Sequence, residues 1–302
     1  MEVQWSLVFF AAFICWGAGT YLATVLFREL FKAPERVVGP AFVLSAVAVV
    51  IGAIASMTHL GHLDRIFGVL SNPGSGIFVE GLSSALLVMI VIVYLVAAAR
   101  KASNGVLRVL AIVGVVPALV AAFSVGSSYL MAARPAWNVY ALPLLSVATA
   151  LSMGGVTALA INALTSGKAK DAAVELRIAK RMSASTVLLI AIHAATILVY
   201  VMTVAAAPFQ DETRSATRML AGDTAVLFWV AVVALGVIAP LIAALMQNRK
   251  SSVASASGEA VGRSSMGYLL AAAVACSVIA VIAFRVIMFT LGSSIINFGF
   301  TL

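Results

Sequence analysis

Long apolar runs, separated by short polar connections, follow one another along the whole chain. Each run has about the 20 residues that a helix needs to cross the hydrocarbon core of a bilayer. A helix also satisfies its backbone hydrogen bonds internally, as lipid requires. The runs cover residues 5–27, 37–58, 77–99, 109–130, 141–164, 183–207, 224–246 and 266–289. The pattern predicts an all-α integral membrane protein, an eight-transmembrane-helix bundle that forms a single transmembrane helical domain over residues 1–302.

The composition agrees with this class, because 63% of the residues are hydrophobic and only 10% are charged. No stretch is left over for a soluble domain. A net charge of +8 is compatible with nucleic-acid binding, but the basic residues lie in the short connections between apolar runs. There they mark the orientation of the helices in the lipid bilayer, and we expect no nucleic-acid partner.

The basic residues are unevenly shared between the two sides of the membrane. The connections on one side are 28–36, 100–108, 165–182 and 247–265. Those on the other side are 59–76, 131–140 and 208–223. The first set holds fourteen Lys and Arg residues and the second holds four. By the positive-inside rule the first set is cytoplasmic, which predicts a multi-pass protein of the cytoplasmic (inner) membrane with both termini facing outward.

Ionisable residues gather at the outward ends of three predicted helices. The second helix ends at His59, and Arg65 follows in the outward connection. Glu80 lies roughly 5 Å inside the third helix, at 1.5 Å per residue. Arg285 comes roughly 28 Å along the last helix, close to the end of a span of about 30 Å. The four side chains are therefore predicted at one depth, in the outer leaflet.

Two interpretations account for Glu80 and Arg285, because an ionisable group in the apolar span is costly unless it is paired or functional. One is a structural salt bridge between them. The other is a quinol site, in which His59 and Glu80 accept protons while Arg65 and Arg285 stabilise the negative charge that develops. Quinol oxidation releases two protons and two electrons, so it also needs an electron acceptor nearby.

The remaining candidate cofactor ligands are few. His193 lies near the middle of the sixth helix, where a lone histidine is more often a hydrogen-bonded packing residue than a ligand. It has no second histidine at matching depth, so we expect no haem and no metal site. The two cysteines, Cys15 and Cys276, are too few for an iron-sulfur cluster, which normally takes four thiolates. Any such cluster is expected in a partner subunit.

Two further patterns concern the membrane surface. Tyr129, Trp137 and Tyr140 are expected to anchor the protein at the membrane interface, where amphipathic rings are enriched. The four-residue spacing of Arg214 and Arg218 predicts the face of a short surface helix.

Several local features resemble the membrane-anchor subunit of dimethyl sulfoxide reductase, the DmsC family. They are "HLG" closing the second helix, an arginine six residues after its histidine, a glutamate opening the third helix, and "AFRVIMF" in the last helix. The helix plan is similar over the whole chain, and the motifs cover residues 54–84 and 280–291.

The resemblance implies a haem-free anchor subunit that oxidises menaquinol at the outer face of the membrane. Electrons would pass to an iron-sulfur subunit and then to a catalytic subunit carrying molybdenum-bis(pyranopterin guanine dinucleotide), both docked on that face. The family's quinol-site histidine corresponds to His59 and its acidic partner to Glu80. The chain would then be the quinol-oxidising subunit of the complex, and the terminal substrate would belong to the catalytic subunit.

Two alternatives stay open. One is a related polysulfide-reductase-type (NrfD) quinone-reactive subunit, with or without coupling to proton movement. The other is a small-solute transporter, although transporters usually place their polar sites at the midplane, between internal repeats.

Overall fold

The computed structural model describes residues 3–58, 68, 71–134, 136–166, 172–207, 210–257 and 263–291. Within these ranges the regular structure is helical and includes no β-strand. The α-helices are α1 (Trp5–Phe31), α2 (Glu35–Met57), α3 (Gly76–Ala99), α4 (Asn104–Val113), α5 (Val115–Ser127), α6 (Ala141–Thr165), α7 (Ala172–Ala205), α8 (Gln210–Ala221), α9 (Ala239–Ser257) and α10 (Arg263–Leu291). A π-helical stretch, Leu227–Ile238, leads directly into α9 and is called the π segment below.

Eight helical stretches in the described part of the chain are long and apolar enough to cross a membrane. Helices α4 and α5 together form one of them, and the π segment with α9 forms another. This confirms the predicted all-α, eight-helix plan, while the outward orientation of both termini and the single-domain organisation stay predictions. We call the end of the bundle where α3 begins the Glu80 end, and the other the opposite end.

Ion pairs and hydrogen bonds of two carboxylates connect the first four helices at the opposite end. The carboxylate of Glu29 accepts from Arg28 at 3.1 Å and from Nε of Arg108 at 2.8 Å. The carboxylate of Glu35 accepts from the Tyr94 hydroxyl at 3.0 Å. The basic connections that predict the orientation therefore also hold helices together.

The predicted short surface helix is present as α8. Within it, the Arg218 guanidinium donates from Nε and Nη2 to the carboxylate of Asp223, at 2.9 and 2.6 Å. These hydrogen bonds from Arg218 lower the pKa of the Asp223 carboxyl. The pair closes the turn between α8 and the next membrane span.

Helix α1 contacts helices from both halves of the bundle: α2 and α5 from the first half, and α6 and α10 from the second. One apolar core is built mainly from α1 to α5 and another mainly from α6 to α10. The backbones of α1 and α6 cross in close contact, since a Cβ atom at Gly154 would lie 1.9 Å from the carbonyl oxygen of Gly19. Small residues permit such close crossings in membranes, where the lipid supplies no hydrophobic collapse.

The fourth span is interrupted at Gly114, between α4 and α5. Pro117 has no N–H to donate to the carbonyl four residues before it, which weakens the helix there. The Tyr21 hydroxyl of α1 donates to the Ala111 carbonyl at 2.9 Å. A Cβ atom on Gly114 would lie 2.1 Å from that hydroxyl oxygen, so the contact requires glycine. It holds the end of α4 against α1.

Gly154→Leu should force α1 and α6 apart, because the new side chain meets backbone atoms that cannot rotate away. We expect a loss of about 3 kcal/mol or more in the free energy of unfolding, measured as detergent-solubilised thermal unfolding. Gly39→Leu is the matched control, since a Cβ atom there has no neighbour within 4 Å. Equal stability of the two variants would contradict the close crossing.

Candidate functional site

Two of the four predicted site residues, Glu80 and Arg285, lie within the described residues. His59 and Arg65 lie outside them, and so do His62 and Asp64. The geometry of the site is therefore built from α3, α5, α6 and α10.

Glu80 lies in the first turns of α3, which is capped by Ser75. Its half-buried carboxylate accepts a hydrogen bond of 2.6 Å from the Ser128 hydroxyl, directly after α5. A short bond from a neutral hydroxyl stabilises the carboxylate and leaves it able to accept a proton.

Arg285 is 2% exposed and lies in the last third of α10. Its Nη2 donates to the Val125 carbonyl of α5 at 3.0 Å and to the Ser146 hydroxyl of α6 at 3.3 Å. Nη1 contacts the sulfur of Met288 at 3.4 Å. All of these partners are neutral, so the guanidinium carries a buried positive charge between three helices.

The Glu80 and Arg285 side chains converge on the same end of α5, because their partners Ser128 and Val125 are one helical turn apart. Among the described residues no carboxylate lies within 4.0 Å of the Arg285 guanidinium. The direct salt bridge considered from the sequence is therefore wrong. The two charged groups share one region of the bundle, and neutral groups hold each of them.

An aromatic cluster covers this region. The rings of Tyr129, Trp137 and Phe289 pack edge to face, with centroids 5.4 to 5.8 Å apart. The Arg285 guanidinium lies 5.2 Å from the Tyr129 ring centroid, within the range of a cation–π contact. Burial raises the pKa of the Tyr129 phenol, so it remains a neutral hydroxyl beside Arg285 at neutral pH.

The expectation that Trp137 is an interfacial anchor is wrong. Trp137 is 3% exposed, and its Nε1 donates to the Met288 carbonyl at 2.8 Å. Only Tyr140, at 83% exposure, has the exposure that an anchor requires. Sequence position places all three aromatics near a membrane surface, and the packing of α10 decides which of them is buried.

His193 is 6% exposed, on α7. Its Nδ1 has no hydrogen-bond partner among the described residues. That nitrogen therefore does not support the expected role of His193 as a hydrogen-bonded packing residue. His193 lines a buried cavity together with Arg285. Cys15 is buried and Cys276 half-buried, both as free thiols. The part of the chain that the structure describes holds no cluster of three His, Cys, Asp or Glu side chains able to bind a metal ion.

Sequence reasoning missed Ser128, Ser146 and the Val125 carbonyl as partners of the charged groups. These are small neutral groups inside apolar runs, and such residues recur throughout the chain. Their only distinguishing feature is the charged neighbour that the fold brings to them.

The fold and the site define a multi-pass integral membrane protein with a carboxylate and a buried guanidinium at one end of its helix bundle. The family model for the polysulphide reductase NrfD matches residues 1–280. The chain therefore belongs to the polysulphide reductase NrfD family. A search of curated proteins gives no match.

Members of this family are membrane subunits of oxidoreductase complexes that interact with quinone, and they generally partner with iron-sulfur and molybdenum catalytic subunits. DmsC-like anchors are contained in the same superfamily, so the family match supports the resemblance at that level. It favours the quinone-reactive interpretation over the small-solute transporter.

Proposed function

We propose that this chain is the membrane-anchor subunit of a dimethyl sulfoxide reductase-like molybdenum complex in the cytoplasmic membrane, and that it oxidises menaquinol at the Glu80 end. Electrons pass to a docked iron-sulfur subunit and from there to the molybdenum-bis(pyranopterin guanine dinucleotide) subunit. The Glu80 end faces outward in this proposal.

The observation that carries the proposal is the convergence of Glu80 and Arg285 on the end of α5. A proton acceptor and a fixed positive charge are the two groups that quinol oxidation needs from a protein. Arg285 lies buried among neutral partners, which keeps its charge available to a ligand.

One quinol loses two protons and two electrons and leaves as quinone. Glu80 takes one proton, and His59, which the sequence places at the same depth, takes the other. Arg285 and Arg65 stabilise the quinol oxygen while it is negatively charged, and the electrons leave to the partner's cluster.

The partner surface is expected to include the connection 131–140, which lies at the Glu80 end. Ala132, Ala133 and Asn138 in it are exposed, whereas Trp137 is buried against α10. The exposed side chains can be changed without disturbing the aromatic cluster.

The test is to purify the tagged chain in mild detergent, measure iron and molybdenum, and follow reduction of the clusters by a soluble menaquinol analogue. We expect both metals to copurify and the analogue to reduce the clusters. Ala132→Glu combined with Ala133→Glu should release the metals while the chain stays inserted, because buried charges disrupt an interface core.

Asn104→Glu, at the start of α4 and the opposite end, is the control and should retain both metals. A chain that carries neither metal, or clusters that quinol does not reduce, would contradict the proposed function. Retention of metals in the double variant would place the partner elsewhere.

The family model's own description favours a second candidate, a polysulphide-reductase-type subunit. The two candidates share the quinol site and differ in the catalytic partner. Turnover of the purified complex with dimethyl sulfoxide or with polysulfide distinguishes them.

A further inference from the structure

A buried cavity of about 30 Å³ lies among α1, α6, α7, the π segment and α10. Most of its wall is apolar. The polar side chains that line it are Cys15, Ser146, Thr149, His193, Ser277 and Arg285. These polar side chains come from four helices, α1, α6, α7 and α10, which are far apart in the sequence.

Two polar atoms of the cavity-lining residues lack partners. Nδ1 of His193 and Nε of Arg285 are both buried and make no hydrogen bond within the described part of the chain. The residues themselves are 6% and 2% exposed. Leaving a buried polar atom unpaired is unfavourable, and more so for a charged group, so a ligand that pairs both atoms is favoured.

The π segment forms part of the cavity wall through Val232 and Gly236. Pro240 cannot donate to the carbonyl of residue 236, which favours an interruption of the regular α-helical ladder there. A π-helical stretch is wider than an α-helix and is frequent at functional sites. One wall of the cavity is thus formed by backbone that departs from regular α-helix.

We propose that this cavity binds water, which bridges Nε of Arg285 and Nδ1 of His193. A cavity of about 30 Å³ is large enough for at least one water molecule, which needs roughly 10 to 15 Å³. The chemistry is complementary: Nε of arginine only donates, and Nδ1 of a neutral histidine accepts when the proton is on Nε2. One water molecule accepts from the first and donates to the second.

The bridge makes His193 a positioning residue for Arg285. Nη2 of Arg285 is held by Val125 and Ser146, and the water fixes the Nε edge of the same planar group. This role in turnover rests on the proposed quinol oxidation, whereas the water site itself does not.

The first measurement is a high-resolution structure of the purified membrane complex. We expect an ordered water within hydrogen-bond distance of both Nε of Arg285 and Nδ1 of His193. An empty cavity, or an ordered anion in place of the water, would overturn the proposal. This result stands whether or not the complex oxidises quinol.

The second measurement compares His193→Asn with His193→Phe. The asparagine amide keeps a polar atom near the position of Nδ1, and we expect quinol-linked kcat within about twofold of the wild type. His193→Phe removes the water partner, and we expect about a tenfold lower quinol-linked kcat with little change in KM and unchanged dye-linked turnover.

Equal activity of the two variants would show that His193 does not position Arg285. If His193→Phe fails to assemble, a tenfold loss in His193→Asn contradicts the proposal, and the ordered water in the wild type still decides the site. If Glu80→Gln leaves quinol oxidation unchanged, the proposed function fails. The high-resolution structure then still decides whether the water site exists.

Discussion

Glu80→Gln is expected to slow quinol-driven reduction of the partner's clusters by about a hundredfold, the usual effect of losing a positioned general base. The glutamine side chain still accepts a hydrogen bond from Ser128 but cannot take a proton. His59→Ala should give a similar loss if His59 accepts the second proton. Stopped-flow absorbance of the clusters, with a menaquinol analogue as donor, measures both.

Dye-linked turnover, in which an artificial donor reduces the catalytic subunit directly, should be unaffected in both variants. Glu35→Gln is the matched control, because Glu35 is a carboxylate that accepts from Tyr94 at the opposite end of the bundle. Equal loss of quinol-linked and dye-linked activity, per mole of inserted chain, would show that Glu80 supports assembly. Full quinol oxidation in His59→Ala would remove His59 from the site.

Arg285→Leu is expected to lower the rate of quinol oxidation by about a hundredfold or more. We expect the variant to be as stable as the wild type or more stable. The loss of rate follows from removing a fixed positive charge at the developing oxyanion. The retained stability follows from removing a buried charge that has no carboxylate within 4.0 Å in the described part of the chain. Replacing buried ions with apolar groups is often neutral or stabilising.

The measurement pairs quinol-linked kcat with the thermal unfolding temperature of the detergent-solubilised chain. Ser146 keeps its own acceptor in the variant, because it also donates to the Leu142 carbonyl at 3.1 Å. Arg285→Lys retains the charge but loses the planar fork, so it should recover part of the activity. An Arg285→Leu protein that unfolds and loses both activities together would identify Arg285 as a structural residue.

The sequence by itself determined the eight membrane spans and identified the ionisable residues inside them. An apolar run of about 20 residues has one common solution in a bilayer, a spanning helix, because lipid leaves no other way to satisfy the backbone. Glu80 and Arg285 are recognisable for the same reason, since an ionisable group in such a run needs an explanation. Counting residues along two helices was enough to predict that they approach the same end of the bundle.

Only the tertiary structure decided what those groups contact. How closely the helices pack, and at what rotation, decides several contacts. They are the Ser128 and Val125 partners, the burial of Trp137, and the cavity that His193 and Arg285 share. Close contacts such as Gly19 against Gly154 set that packing. In lipid all faces of an apolar helix are nearly equivalent, so hydrophobic periodicity carries little information about which residues meet.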